Sequence, residues 1–113
     1  MPQTYLDNSA TTRVCAAAAD AAYRMMTETY GNPSSLHSLG FRAEQEITAA
    51  RKAVAGLMGA QPEQVFFTSG GTEANNLAIF GAAAARSREG RHIVTTAVEH
   101  SSVAAAIDEC LSG

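Results

Sequence analysis

Cysteine is scarce in this sequence, and that scarcity removes one class of chemistry at once. Cys15 and Cys110 are the only two among 113 residues, and no Cys-x-x-Cys pair occurs. A metal site built on thiolates is therefore excluded. In a reducing compartment both read as free thiols. Each falls on an apolar helical stripe, where a buried structural role is expected. Neither has a His or Lys close in sequence to mark a reactive thiolate.

Basic residues are few as well. Lysine occurs once, at Lys52, and the net charge is −3 with a pI near 5.5. Only Arg86, Arg88 and Arg91 lie close together, so no basic surface for nucleic acid is expected. No apolar run approaches the roughly 20 residues of a membrane span. The start of the chain lacks the basic and apolar regions of a secretory signal. A cytoplasmic protein with neither a membrane nor a nucleic-acid partner is the expectation. Gly-Lys-Ser/Thr is missing, and so is Gly-x-Gly-x-x-Gly, which leaves a nucleotide-binding reading without a fingerprint. The length admits one small domain rather than two. Its hydrophobic content is 46%, but much of that is alanine, which buries little area per residue.

What is present can be taken in chain order. Residues 4–6 read as a short extended entry, and Asp7-Asn8-Ser9 as a turn cluster. The spacing of Cys15, Ala18, Ala22, Met25, Met26 and Thr29 predicts a helix over residues 13–29, with the methionines as core filler. Gly31-Asn32-Pro33-Ser34-Ser35 breaks it, and a loop of small residues continues to Gly40. His37, within that loop, reads as structural or solvated. A second helix is predicted over residues 41–58 from Ile47, Ala50, Val54 and Leu57, with Lys52 on its solvated side and Gly59 as its stop.

Gln61-Pro62-Glu63 then turns the chain into residues 64–68, whose apolar run through Val65, Phe66 and Phe67 predicts a strand covered on both faces. An alanine-rich helix follows Gly71 to about residue 86. Most of its circumference is apolar, which calls for burial in something larger. A second strand is predicted at residues 92–96. After it comes a helix capped by Ser101 or Ser102 and carrying Val103, Ile107 and Leu111. The order β-α-β-α is the start of a doubly wound α/β layer. Ligands in such layers bind beyond the carboxyl ends of the strands, where both Gly70-Gly71-Thr72 and Glu99-His100 fall.

Residues 65–76 carry the strongest local signal. An apolar strand runs into two glycines and a threonine that opens a helix. The first helical amides have no intrahelical partner and sit at the positive end of the helix dipole, so the turn is an anion site. Gly70 and Gly71 would let the backbone turn sharply and approach a ligand closely, and Thr72 adds a hydroxyl. His100 offers a flat ring that can stack or carry a proton. A phosphate joined to a planar ring suits that pair, and pyridoxal phosphate is such a molecule.

Four segments carry a resemblance. They are Tyr5-Leu6-Asp7-Asn8-Ser9-Ala10-Thr11-Thr12, Tyr30-Gly31-Asn32-Pro33-Ser34-Ser35 with His37 and Gly40, the run from Phe67 to Ile79, and the run from Thr95 to Val103. In order and in spacing they resemble the cysteine desulfurases, class V aminotransferase-like enzymes of pyridoxal phosphate (PLP) fold type I. The resemblance implies an α/β fold: the N-terminal portion of a three-layer α/β/α large domain, preceded by an N-terminal helical arm. Residues 1–40 would be the arm and its helix, and residues 41–113 the incomplete start of the PLP-binding domain.

The resemblance also implies roles. Gly71 and Thr72 would bind the cofactor phosphate. His100 would stack on the pyridine ring and take part in proton transfers as a catalytic residue. The arm would lie near the substrate entrance and a homodimer interface. The substrate would be L-cysteine, converted to alanine, with the sulfur passed as a persulfide to acceptor proteins for iron–sulfur clusters or thio-cofactors. The lysine that holds the cofactor, the nucleophilic cysteine and the aspartate that pairs with the pyridine nitrogen match nothing in these residues.

A fragment inactive by itself is therefore expected, with unpaired strand edges, because the two strands would not be neighbours in the complete sheet. Two alternatives stand beside it. One is a non-catalytic truncated domain with at most weak phosphate binding. The other is a piece of a different class V enzyme, such as a selenocysteine lyase.

Overall fold

The computed structural model describes residues 4–112, so the first three residues of the expected arm, and Gly113, lie outside it. Four helices follow one another: α1 (Ala16–Thr27), α2 (Ser38–Met58), α3 (Gly71–Ala85) and α4 (Ser101–Ser112). A single 3₁₀ turn, Pro62–Gln64, stands between α2 and α3. The chain divides into two compact units, with the boundary between Val65 and Phe66.

In the first unit, the turn at Asp7 is closed by the Ala10 amide donating to the Asp7 carbonyl at 3.2 Å. The Tyr5 hydroxyl lies 2.8 and 2.9 Å from the carbonyls of Asp7 and Thr11, sharing its one proton between them. Helix α1 is shorter than the predicted 13–29 at both ends. Cys15 is its N-terminal boundary residue and is exposed, which corrects the expectation of a buried thiol. Met26 is exposed too, so its expected core role is not filled by this chain.

Helix α2 begins at Ser38, three residues before the predicted start, because the loop ahead of it supplies a cap. The His37 side chain accepts from the Gly40 amide through Nδ1 at 3.3 Å. This satisfies one of the donors that a helix start leaves unpaired. Asn32 pins the same loop, its carbonyl accepting from the Ser35 amide and its side chain from the Ser34 amide, each at 2.9 Å. Gly40 is buried there, and a Cβ on it would stand 2.6 Å from the Asn32 carbonyl oxygen. At the far end Gly59 adopts φ +64°, and the Ala60 amide closes back on the Ala55 carbonyl at 2.9 Å. That is the left-handed stop predicted at this glycine. Lys52 is exposed on α2, as predicted. The Arg51 guanidinium reaches the Val65 carbonyl and ties the end of the 3₁₀ turn to the helix.

The second unit is built from α3 packed on α4, with the intervening segment, residues 86–100, beside them. Ala106 and Ile107 of α4 are its buried apolar residues. Residues 78–96 and α4 together enclose an apolar groove of about 760 Å³, lined by Ile79, Ile93, Val103, Ile107 and Leu111, with Cys110 half-buried at its side.

The two predicted strands need correction. Residues 64–68 and 92–96 form no ladder among the described residues, and Gln64 belongs to the 3₁₀ turn. Val65 keeps extended torsions, φ −101° and ψ 119°. A strand is defined by its partner, and an isolated extended segment has unpaired amides and carbonyls along both edges. The apolar run is real, but among the described residues no second strand pairs with it, and the Val65 carbonyl is met by the Arg51 side chain instead. For the same reason α3 has no buried residue, and Leu77 remains 54% exposed.

Candidate functional site

Every residue expected in the site belongs to the second unit, at the N-terminal ends of α3 and α4. Gly70 is the boundary residue of α3, and the first intrahelical bond is the Ala74 amide donating to the Gly70 carbonyl at 3.1 Å. The amides of Gly71, Thr72 and Glu73 precede that bond and have no helical carbonyl to reach. Thr72 is exposed, and its hydroxyl makes no hydrogen bond among the described residues.

The expected reason for the glycines is only half supported. Gly70 has φ 170° and ψ 179°, extended backbone that any residue adopts. The turn itself does not require glycine. A Cβ at Gly70 or Gly71 would meet nothing within 4 Å, as at Gly56, Gly59, Gly81 and Gly90, so no neighbour in this chain demands a glycine there. The backbone of the turn is open, which leaves room for a ligand. The donor set therefore suits a phosphate: amides at a helix N-terminus, a hydroxyl and no obstructing side chain.

Glu73 complicates this picture and escaped the sequence reading. One of its oxygens, Oε2, accepts both the Ser69 amide at 2.7 Å and the Ser69 hydroxyl at 2.6 Å. These two bonds, the hydroxyl first, hold its carboxyl below the ordinary carboxylate value. The Ser69 donors are thereby consumed inside the turn, which leaves the amides of Gly71, Thr72 and Glu73 and the Thr72 hydroxyl as the donors open to a ligand. An acidic residue in the third position of a helix was a visible signal for this arrangement.

His100 bounds α4. Its carbonyl accepts from the amides of Val103 and Ala104 at 2.9 and 3.1 Å, and its Nδ1 faces the Ser102 amide at 3.2 Å. The expected serine cap is thus replaced by a histidine cap, with Ser101 as the first helical residue. The Ser102 hydroxyl also meets Nδ1, at 2.8 Å, and accepts from the Asn75 amide group of α3 at 2.8 Å. Asn75 lies three residues, or nearly one turn, beyond Thr72. One side-chain bond therefore joins the start of α4 to the first turns of α3. Ahead of His100, the Thr96 hydroxyl donates to Glu99 at 2.9 Å and shapes the approach to the helix.

Among the described residues no three His, Cys, Asp or Glu side chains gather as a metal would need, and no helix is long and apolar enough to cross a membrane. The apolar groove is a separate feature. Neither the glycine turn nor His100 lines it.

Residues 4–111 match the class V aminotransferase family, and the chain belongs to that family. Among curated relatives it is 51% identical over 100 residues to a NifS/IcsS protein homolog of Lactobacillus delbrueckii, covering 88% of this chain and 26% of that protein. It is 46% identical over 99 residues to cysteine desulfurase IscS of Methanosarcina thermophila, covering 88% and 24%. Cysteine desulfurase 2 of Trichormus variabilis is 48% identical over 103 residues, covering 91% and 26%.

A solved structure titled NifS-like protein superposes with a TM-score of 0.83 at 34% identity, covering 93% of this chain and 29% of that one. The fold is thus the N-terminal portion of the type I large domain, as the motifs imply. The chain spans about a quarter of the length of the curated relatives it matches.

Proposed function

We propose that this chain supplies the phosphate turn and the ring-facing histidine of a PLP-dependent cysteine desulfurase. The observation that carries the reading is the Asn75–Ser102 bond, which joins the first turns of α3 and α4, the two helices whose starts bear Thr72 and His100. Separated by 28 residues in sequence, Thr72 and His100, two groups suited to the two ends of one cofactor, stand at the starts of two packed helices.

Gly71 and Thr72 bind the phosphate through the first amides of α3 and the threonine hydroxyl, with the helix dipole adding to the attraction. His100 packs its ring against the pyridine and holds or moves a proton through Nε2, the nitrogen left free by the contacts at Nδ1. Bound at this site, pyridoxal phosphate supplies the electron sink that allows the carbon–sulfur bond of L-cysteine to be broken. Lys52 stands exposed on α2 and takes no part. The chain alone therefore binds without turning over. Homodimer formation, sulfur-acceptor proteins and a cytoplasmic location belong to the same reading.

A chimera tests it. This chain replaces the matching segment of the Trichormus variabilis relative, and sulfide release from L-cysteine is measured. The expected result is a working desulfurase whose activity falls about 10²-fold to 10⁴-fold on His100→Ala, the range for loss of a positioned proton carrier. A folded, PLP-loaded chimera that releases no sulfide would remove the reading.

A further inference from the structure

The geometry points to Asn75 and Ser102 as positioning residues for His100, a two-residue latch that holds the imidazole in the tautomer protonated at Nε2. The consequence for chemistry rests on the reading of His100 as the proton-handling group of the site. The latch itself rests only on the hydrogen bonds.

The backbone amide of Ser102 selects the assignment of donors and acceptors. The Ser102 amide faces His100 Nδ1 at 3.2 Å, and an amide can only donate. Nδ1 must therefore be the unprotonated nitrogen, since a proton there would oppose the amide hydrogen. The Ser102 hydroxyl, 2.8 Å from the same nitrogen, is then the second and closer donor, sharing the single Nδ1 lone pair with the amide. With its single proton committed, that hydroxyl can only accept from its remaining neighbour, the Asn75 side chain at 2.8 Å. Asn75 accordingly presents Nδ2 and not Oδ1. One backbone amide thus sets the direction of the whole chain of bonds, from Asn75 through Ser102 to His100.

The latch also spans two helices. Ser102 and Asn75 are both half-buried, whereas His100 is exposed. A fixed donor pair at the base of the ring restrains its rotation and directs Nε2–H outward. A capping histidine without the latch would keep only the backbone amide, and its ring would turn more freely.

Two-bond ¹H–¹⁵N NMR on the 113-residue chain reads the tautomer without cofactor or cysteine, so it can fail while the PLP reading stands, and the reverse. In the unsubstituted chain the His100 ring is expected to give the Nε2–H pattern. Ser102→Ala should lower the ratio of Nε2–H to Nδ1–H about fivefold, the effect of one lost hydrogen bond. Ser102→Thr should restore it. Asn75→Asp should lower it further, because the introduced carboxylate draws the hydroxyl proton away from Nδ1. An Nδ1–H pattern in the unsubstituted chain would overturn the latch whatever the variants do. So would an unchanged ratio in Ser102→Ala and Asn75→Asp at unchanged helix content.

Discussion

The amide and the hydroxyl of Ser69 both donate to a single oxygen of Glu73, at 2.7 and 2.6 Å. A carboxylate thus organises the turn that an anion is expected to enter. Its carboxyl is held below the ordinary value of 4.5, by the hydroxyl first and the amide second. A depressed carboxylate stabilises the folded state above its unfolded pKa, and that contribution is lost as pH falls through the lower folded value. Helix content of the chain, followed by circular dichroism, should therefore fall on acidification in the window below 4.5. In Glu73→Gln the component of this loss due to Glu73 should vanish.

Much of the helical framework was legible in the sequence, and the misses have local causes. Helix α3 ends at Ala85, within one residue of its predicted end, and Gly59 stops α2 as its position suggested. The start of α2 was placed three residues late because His37 is not among the usual capping residues. The strands at 64–68 and 92–96 were read from apolar runs, but pairing is a non-local property that no run encodes. The places of Gly71, Thr72 and His100 at helix starts were legible because each stands beside a glycine turn or a predicted cap. Asn75 and Ser102 were not, since a bond across 27 residues leaves no pattern in either segment.

Glycine positions separate close approach from mere tolerance. At Gly40 a Cβ would stand 2.6 Å from the Asn32 carbonyl oxygen, so Gly40→Ala should destabilise the loop before α2 by about 1–3 kcal/mol. At Gly56, inside the same helix, a Cβ would meet nothing within 4 Å. Gly56→Ala should therefore stabilise α2 by about 0.5–1 kcal/mol. Urea unfolding of the two variants beside the unsubstituted chain checks both signs.

Apolar side chains on this chain are largely uncovered. Val98 is 91% exposed, Leu57 89% and Val94 84%, whereas the buried apolar residues are Ala43, Ala55, Ala106 and Ile107. Surface of this kind marks an interface with further protein. The isolated chain should bind 8-anilinonaphthalene-1-sulfonate and associate as its concentration rises, measured by fluorescence and by sedimentation velocity. Within the working chimera the dye signal should disappear.

Titration with pyridoxine 5′-phosphate tests the cradle most directly, because this molecule carries the ring and the phosphate but no aldehyde to react with Lys52. Isothermal calorimetry should detect binding to the chain. Pyridoxine without its phosphate should bind far more weakly. Thr72→Ala should weaken the phosphate ester about tenfold or more, the effect of a lost hydrogen bond to a charged group. Equal affinity for the two ligands, unaltered by Thr72→Ala and His100→Ala, would contradict the assignment of this turn and this histidine to one cofactor.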